Sequence, residues 1–271
     1  MRGRDVRGDV LWAAIILLVQ SAIAAALRHV WLQQADLGRQ SGQYGSRSWL
    51  IASAVAAGLF VPVPAAILGA TAIPTRSETG AVQSALLTRL RSIDIVAGRL
   101  LAALLPVLMA IAVSCCFWVI LAVVQPAAGR IAQILTLHLV LICVVYMVGA
   151  NAALGATSRT PGRAWARGAG GALVWSALCT TGLLLVNGQL RRMNDPAPLI
   201  EAALILNPVS AAATALTIDM LRTPWVYARS DAPDYYFEYP SPWSTVVLYG
   251  GLGLTAQVWT ALRLRRSVTR G

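Results

Sequence analysis

"IVAGRLLAALLPVLMAIAVSCCFWVILAVV", residues 95–124, is a long apolar run with one charged residue, Arg99, and it decides the fold class. An α-helix of about 20 residues crosses the roughly 30 Å hydrocarbon core of a bilayer, so this run is long enough to span a membrane. It lacks the two-residue alternation of a barrel strand, and backbone groups in lipid must be paired within the segment. The run therefore predicts a transmembrane helix.

Similar runs occur along the whole chain, which has 271 residues, 57% of them hydrophobic and only 12% charged. Such a composition excludes a soluble domain with a polar shell. We predict an all-α integral membrane protein that forms a single transmembrane domain over residues 1–271. Its six predicted spans lie near residues 10–28, 49–73, 95–124, 131–157, 169–186 and 243–262.

The first run also has features of a secretory signal peptide. Arg2, Arg4 and Arg7 precede it, and the alanines at 24–26 resemble a cleavage site. However, its apolar stretch, residues 10–27, is longer than the usual signal core of about 7–15 residues. We expect it to be retained as the first span.

Arginine placement predicts the orientation of the chain. The formal net charge of +11 comes from arginine alone, because the sequence contains no lysine. Arginines concentrate in segments that share one side if the N-terminus is cytoplasmic, so both termini are expected in the cytoplasm. The basic character then reflects membrane topology, and no nucleic-acid partner is expected. The arginines assigned to the inside are Arg2, Arg4, Arg7, Arg76, Arg89, Arg91, Arg99, Arg159, Arg163, Arg167, Arg263, Arg265, Arg266 and Arg270.

Residues 76–94, "RSETGAVQSALLTRLRSID", form a charged segment between the second and third spans. At helical period Val82, Leu86 and Leu90 share an apolar stripe, which predicts an amphipathic helix lying flat on the membrane. By pattern alone this is an interfacial helix that needs no partner. Ser92 is expected to cap the third span, with Asp94 in its first turn.

The residue order of 77–106, "SETGAVQSALLTRLRSIDIVAGRLLAALLP", resembles the signature of ABC transporter permeases of the type 2, export-related class. That signature reads approximately E-x-G-T-x-E-x-L-L-x-T-P-L-S, then a short turn, then E-I-x-x-G-K-L-L-A. Asp94 and Arg99 replace its second-half acid and lysine, whereas Ala81, Gln83, Arg89 and Arg91 depart from it. The matching positions are Glu78, Gly80, Leu86, Leu87, Thr88, Leu90, Ile95, Gly98, Leu100, Leu101 and Ala102.

The resemblance implies a fold with six spans, both termini in the cytoplasm of a bacterium and a coupling helix at 76–94 between helices 2 and 3. It also implies short re-entrant helices before helix 6, within the outer segment 187–242. That segment contains the apolar stretch 206–216 with an Asn207-Pro208 pair similar to one found in many family members.

The resemblance further implies partners and a mechanism. A separate cytoplasmic ATPase would bind and hydrolyse ATP, and a second permease subunit, identical or related, would complete the path through the membrane. This chain would bind no cofactor, and without lysine it cannot contain the G-x-x-x-x-G-K-S/T phosphate loop, so it is not expected to be an enzyme. The expected ATPase-coupling residues are Glu78, Gln83, Leu86, Arg89 and Arg91.

Other functions fit parts of the sequence. A non-transporting scaffold subunit could use the same fold, and a gradient-driven secondary transporter fits the hydropathy, although neither an internal repeat nor an intramembrane coupling residue is evident. A membrane serine hydrolase lacks support, because there is no G-x-S-x-G motif and the sequence indicates no partner serine for His138.

Several residues within the spans carry secondary expectations. Proline is expected to interrupt the second span at Pro62 and Pro64 and the third at Pro106. The polar residues Gln20, His138 and Asn151 would line a route or form interhelical hydrogen bonds. Small residues at Gly149 and Ala153 predict close helix packing. The cysteines, all in spans, are expected to be small buried hydrophobes, and they are Cys115, Cys116, Cys143 and Cys179.

Overall fold

The chain is described by a computed structural model over residues 6–36, 45–72, 91–124, 130–155, 170–171, 205–207, 215–216 and 241–269. Within these ranges the structure is helical and contains no β-strand. The helices with defined bounds are α1 (Val6–Asp36), α2 (Gly45–Phe60), α3 (Pro62–Ala72), α4 (Ser92–Val124), α5 (Ile131–Gly155) and α6 (Pro242–Thr269).

Five stretches of the described helices are long and apolar enough to cross a membrane: Arg7–His29, Trp49–Ala72, Ser92–Val124, Ile131–Leu154 and Pro242–Arg266. The chain is therefore an all-helical, multi-pass membrane protein, and five of the predicted spans are confirmed as helices. The predicted span at 169–186, apart from residues 170–171, lies outside the described residues, as do 76–90 and most of the outer segment 187–242.

The second span is divided at Val61, as its prolines predict. Pro62 and Pro64 have no N–H and cannot donate to the preceding turn. The Val61 N–H still donates to the Ala57 carbonyl at 3.0 Å, and the Ala65 N–H donates to the Val61 carbonyl at 3.4 Å. These bonds connect α2 to α3. The corresponding prediction for Pro106 is wrong, because Pro106 is buried inside the continuous helix α4.

The order of contacts along neighbouring helices gives their relative directions. His138 lies opposite Ser114, and Gly149 opposite Leu104, so α4 and α5 are antiparallel. The guanidinium carbon of Arg28 lies 4.5 Å from the centre of the Trp49 ring. Earlier in α1, Ala24 packs with Ala52 and Ala56, so α1 and α2 are antiparallel as well.

Two other pairs of neighbours run parallel. Gly69 of α3 meets Gly149 of α5, and one turn further Ala70 packs with Ala152. Tyr249 of α6 packs in a cluster with Val140 and Val144 of α5, while Gly253 and then Gln257 reach Tyr146. Residue numbers increase together in both cases. We define the Arg7 side as the end of the bundle where α1 and α4 begin and where α3, α5 and α6 end.

Helix α5 is the centre of the described bundle, because its contacts with α3, α4 and α6 are together more extensive than those of any other described helix with its neighbours. Its approach to α3 is close enough for backbone contact, since a Cβ on Gly69 would overlap the Gly149 carbonyl and lie 2.6 Å from its Cα. This confirms the packing role predicted for Gly149. In contrast, α1 and α4 leave large apolar side chains uncovered, as expected for lipid-facing helices, among them Leu18, Phe117, Ile120 and Val124.

Candidate functional site

The predicted ATPase-coupling residues fall at the edge of the described structure. Glu78, Gln83, Leu86 and Arg89 lie outside the described residues. Arg91 is described, and it stands exposed immediately before α4, on the Arg7 side. The structure therefore places one of the five predicted coupling residues, at the first turn of a membrane-spanning helix.

The start of α4 is fixed by Asp94 rather than by Ser92. The Arg91 N–H donates to Asp94 Oδ2 at 3.3 Å, and the Asp94 N–H donates to the Arg91 carbonyl at 3.0 Å. Arg91 is thus the N-cap, and Asp94 provides the reciprocal half of a capping box from the third helical position. The prediction that Ser92 caps the helix is wrong by one residue, whereas Asp94 does lie in the first turn, where its charge suits the helix dipole.

A polar pair inside the bundle joins α4 to α5. His138 is only 4% exposed, its Nδ1 lies 2.7 Å from the Ile134 carbonyl oxygen, and its Nε2 lies 3.5 Å from Ser114 Oγ. A carbonyl oxygen can only accept, so Nδ1 carries the proton of the neutral ring and donates it. Nε2 then accepts from the Ser114 hydroxyl. The expectation that His138 has no partner serine is wrong.

The Ser114–His138 pair is deep in the membrane-spanning region. At 1.5 Å per residue, His138 lies about 10 Å from the start of α5 and Ser114 about 15 Å from the end of α4. In this tautomer Nε2 can accept a proton, and the serine hydroxyl can reverse from donor to acceptor. The acids of the described helices, Asp9, Asp36 and Asp94, are all near helix ends. The geometry therefore provides a proton acceptor, and the middle parts of the described spans contain no carboxylate.

A second polar contact joins α5 to α6. The Tyr146 hydroxyl donates to Gln257 Oε1, and the Tyr146 ring lies against Gly253, where an added Cβ would be 2.5 Å from Cδ1. Gly253 leaves space for the Tyr146 ring, and the Gln257 side-chain amide accepts the hydrogen bond from the Tyr146 hydroxyl. In an apolar environment such a bond favours one register of the two helices.

The outer segment docks on the first turns of α6. The Thr245 hydroxyl donates to the Ile205 carbonyl at 3.3 Å, and the Tyr249 hydroxyl donates to the Leu206 carbonyl at 2.5 Å. Asn207 is 3% exposed and Tyr249 is fully buried. Because Tyr249 is about 10 Å along the helix from Pro242, this docking lies below the end of the helix opposite the Arg7 side.

The remaining polar and sulfur-bearing residues have simpler roles. Asn151 donates to the Met147 carbonyl of its own helix at 2.9 Å, a bond within α5. Gln20 is buried, as a residue paired between helices would be. The expectation of buried cysteines is wrong for Cys116, which is exposed, while Cys115 and Cys143 are half-buried and also free. Cys179 lies outside the described residues.

No protein family, curated protein or solved structure matches the chain. Functional inference therefore rests on the residues and their geometry. Sequence reasoning missed the Ser114–His138 pair because the two residues are 24 positions apart on different helices. A usable signal did exist. In an antiparallel hairpin, residues at comparable distances from the connecting loop face each other, and these two lie ten residues before Val124 and seven after Ile131.

Proposed function

We propose that this chain is the permease subunit of an ATP-binding cassette transporter of the type 2, export-related class. It would export a substrate across the bacterial cytoplasmic membrane with energy from ATP hydrolysed by a separate subunit. The observation that carries the proposal is the resemblance of residues 77–106 to the family signature, whose second half coincides with the capped start of α4. This location suits a segment that passes force from a cytoplasmic motor to a span.

The directions of α5 and α6 support the expected six spans. Two helices that cross in the same direction must be connected by an odd number of further crossings. The connection here comprises residues 156–241, and the apolar run at 169–186 is long enough to make one crossing. We therefore place the sixth span there, between α5 and α6.

The arginines of the described helices support the expected orientation. Six lie at the Arg7 side and three at the opposite side. Since arginine is retained on the cytoplasmic side of short loops, the Arg7 side is assigned to the cytoplasm, together with both termini. Those on the Arg7 side are Arg7, Arg91, Arg99, Arg263, Arg265 and Arg266, and those opposite are Arg28, Arg47 and Arg130.

The docked segment 205–207 supports the expected re-entrant helices. Its carbonyls bond to Thr245 and Tyr249, which lie about 5 Å and about 10 Å along the helix from Pro242. Irregular backbone at such depth is tolerated where it is buried in protein, and Asn207 is buried. In an exporter this segment would restrict the outer end of the path.

The decisive experiment is to identify what co-purifies with the tagged protein from its native host in mild detergent. Three versions are compared by mass spectrometry: the native chain, Leu86→Arg and Leu86→Met. Leu86→Met keeps size and apolarity, whereas Leu86→Arg places a charge in the apolar stripe. We expect a phosphate-loop ATPase in stoichiometric amount with the native chain and Leu86→Met, and its loss with Leu86→Arg.

Two outcomes would contradict this function. If all three versions insert normally and none carries an ATPase, residues 76–94 are an interfacial helix and the transporter assignment loses its main support. If the ATPase binds but inside-out vesicles suspended in cell extract accumulate no component on addition of ATP, the chain is a scaffold subunit. An ATPase variant unable to hydrolyse ATP is the control for the second assay.

The Ser114–His138 pair favours a second candidate, a proton-gradient-driven transporter. An ionisable residue in a membrane span is a functional candidate, and Ser114 is a partner that stays compatible with both protonation states of His138. Under this candidate, proteoliposomes containing the native protein dissipate an imposed pH gradient without ATP, and His138→Gln abolishes the effect. His29→Gln, at the end of α1, is the matched control. An unchanged gradient with the native protein would exclude proton coupling.

A further inference from the structure

The last turns of α6 carry a surface that differs from the other lipid-facing surfaces. Trp259, Leu262, Arg263 and Arg266 are spaced at i, i+3, i+4 and i+7, so they share one face of the helix. All four are exposed, with 52% of Trp259 and 45% of Leu262 uncovered. We call this set the α6 stripe. It places an aromatic ring, an aliphatic side chain and two guanidinium groups in order along one surface.

The order of the α6 stripe along the helix axis follows the layers of a membrane leaflet. Arg266 lies in the last turn of α6, which ends at Thr269. At 1.5 Å per residue, Arg263 lies about 5 Å deeper than Arg266, and Trp259 about 10 Å deeper. Both arginines can extend their guanidinium groups to the headgroup layer, and an indole at this depth lies near the interface that tryptophan prefers. The stripe therefore passes from acyl chains to phosphate level.

The helix that carries this surface has no acidic residue of its own. Residues 242–269 contain no aspartate or glutamate. Arg263 and Arg266 are one turn apart, where Cβ atoms are about 5–6 Å from each other, so two planar guanidinium groups can reach one phosphate. Bidentate donation by arginine matches phosphate oxygens better than a point charge would.

We propose that the α6 stripe is a binding site for an anionic phospholipid in the leaflet on the Arg7 side. Arg263 and Arg266 hold its phosphate, and one acyl chain lies along Leu262 and Trp259. The occupant is a lipid rather than a protein segment, because the change from apolar to cationic coincides with the depth order of a phospholipid. A zwitterionic lipid binds more weakly, since its own cation opposes the arginines.

Native mass spectrometry of the purified full-length protein tests the site. The protein is titrated with dioleoyl phosphatidylglycerol and separately with dioleoyl phosphatidylcholine, and the ratio of their dissociation constants is measured. The double variant Arg263→Gln/Arg266→Gln, which removes two charges, is compared with Arg265→Gln, which removes one charge at a similar depth from another face of α6. Size-exclusion profiles and helical circular dichroism confirm that each version is folded.

We expect the native protein and Arg265→Gln to prefer phosphatidylglycerol to a similar extent. At about 1 kcal/mol for each arginine near the surface, the double variant should lose about fivefold to thirtyfold of that preference. Trp259→Leu should weaken both lipids together, because the aromatic ring contacts the part that they share. A free-energy loss for Arg265→Gln that is half the loss of the double variant would mean diffuse surface attraction in proportion to charge, and an unchanged double variant would mean that another molecule covers this face. Either result overturns the site.

Discussion

Helices α4 and α5 are both strongly apolar, yet they occupy opposite environments. α5 is packed on several flanks, and at Gly149 it is contacted both by the backbone of α3 and by the Leu104 side chain. The second half of α4 instead leaves Phe117, Ile120 and Val124 mostly uncovered. Lipid tails are as apolar as leucine, so apolarity cannot decide which face is buried in protein. Small residues and paired polar groups determine which helix face packs against protein.

The largest effect is expected where two glycines touch. In Gly69→Ala the new methyl group overlaps the Gly149 carbonyl, which is backbone and cannot rotate away. Separating α3 from α5 should cost about 3 kcal/mol or more, because overpacking against backbone is poorly relieved. Thermal unfolding in detergent, followed by tryptophan fluorescence, measures the loss.

The matched control for Gly69 is Gly251→Ala on α6, where an added Cβ meets nothing within 4 Å. It should be neutral or slightly stabilising, by up to about 1 kcal/mol, because alanine favours a helix more than glycine does. Equal destabilisation by both variants would show that glycine content, rather than the α3–α5 contact, determines stability.

A smaller effect is expected at Gly253, where the neighbour is a side chain. In Gly253→Ala the methyl group meets the Tyr146 ring, which can shift only by weakening its bond to Gln257. We expect a loss of about 1–3 kcal/mol. A Tyr146→Leu background should recover part of it, because the ring that obstructs the methyl group is gone. A double-mutant cycle on unfolding free energies gives the coupling, and strict additivity would contradict the contact.

The docked outer segment should contribute less. Tyr249→Phe removes the donor to the Leu206 carbonyl and leaves that acceptor without this bond, at a cost of about 1–2 kcal/mol. Limited proteolysis at residues 187–241 should accelerate in the variant. Thr255→Val is the control, since its hydroxyl is exposed and bonds only within α6, to the Leu252 carbonyl. Acceleration in the control alone would contradict the docking.

The smallest effects on the free energy of unfolding are expected at the Ser114–His138 pair and on the lipid-facing surface of α4. Ser114→Ala removes an interhelical bond and should cost about 0.6 kcal/mol, the average for such bonds in a membrane protein. Ile120→Leu, on the uncovered face of the same helix, should change unfolding by less than about 0.5 kcal/mol. Comparable losses would place Ile120 in a protein interface, as expected if a second subunit covers α4.

The sequence alone predicted the helical class and the five described membrane-spanning helices. An uninterrupted apolar run as long as a bilayer is thick is typical of a transmembrane helix. The sequence also predicted the break near Pro62, because proline has no backbone N–H and this lack can be read directly from the sequence. It failed at Pro106, because a neighbouring helix can compensate for a proline and nothing in the local sequence reports that neighbour. Hydropathy says where a helix crosses but not which side chains face each other.

The candidate sites were predicted less completely. The coupling residues came from a resemblance, and only Arg91 among them is described, so the others stay a prediction. The Ser114–His138 pair depends on the register of α4 against α5, which individual residues do not encode. Likewise, the N-cap is Arg91 and not Ser92. The Asp94 carboxylate, at the third helical position, accepts a hydrogen bond from the Arg91 N–H, and the residue type of Ser92 alone does not reveal this.

The contact between Tyr146 and Gln257 also has a consequence for biogenesis. The two residues are 111 positions apart, so the ribosome must add all the intervening residues before the acceptor exists. At elongation rates of about 5–20 residues per second, Tyr146 enters the translocon roughly 5–20 s before its partner. During that interval the Tyr146 hydroxyl lacks its bond to Gln257, and the face of α5 that packs against α6 is not yet covered by it. Helix α6 therefore completes the described core, and a ribosome stalled before Gln257 would leave the face of α5 that packs against α6 accessible to proteases.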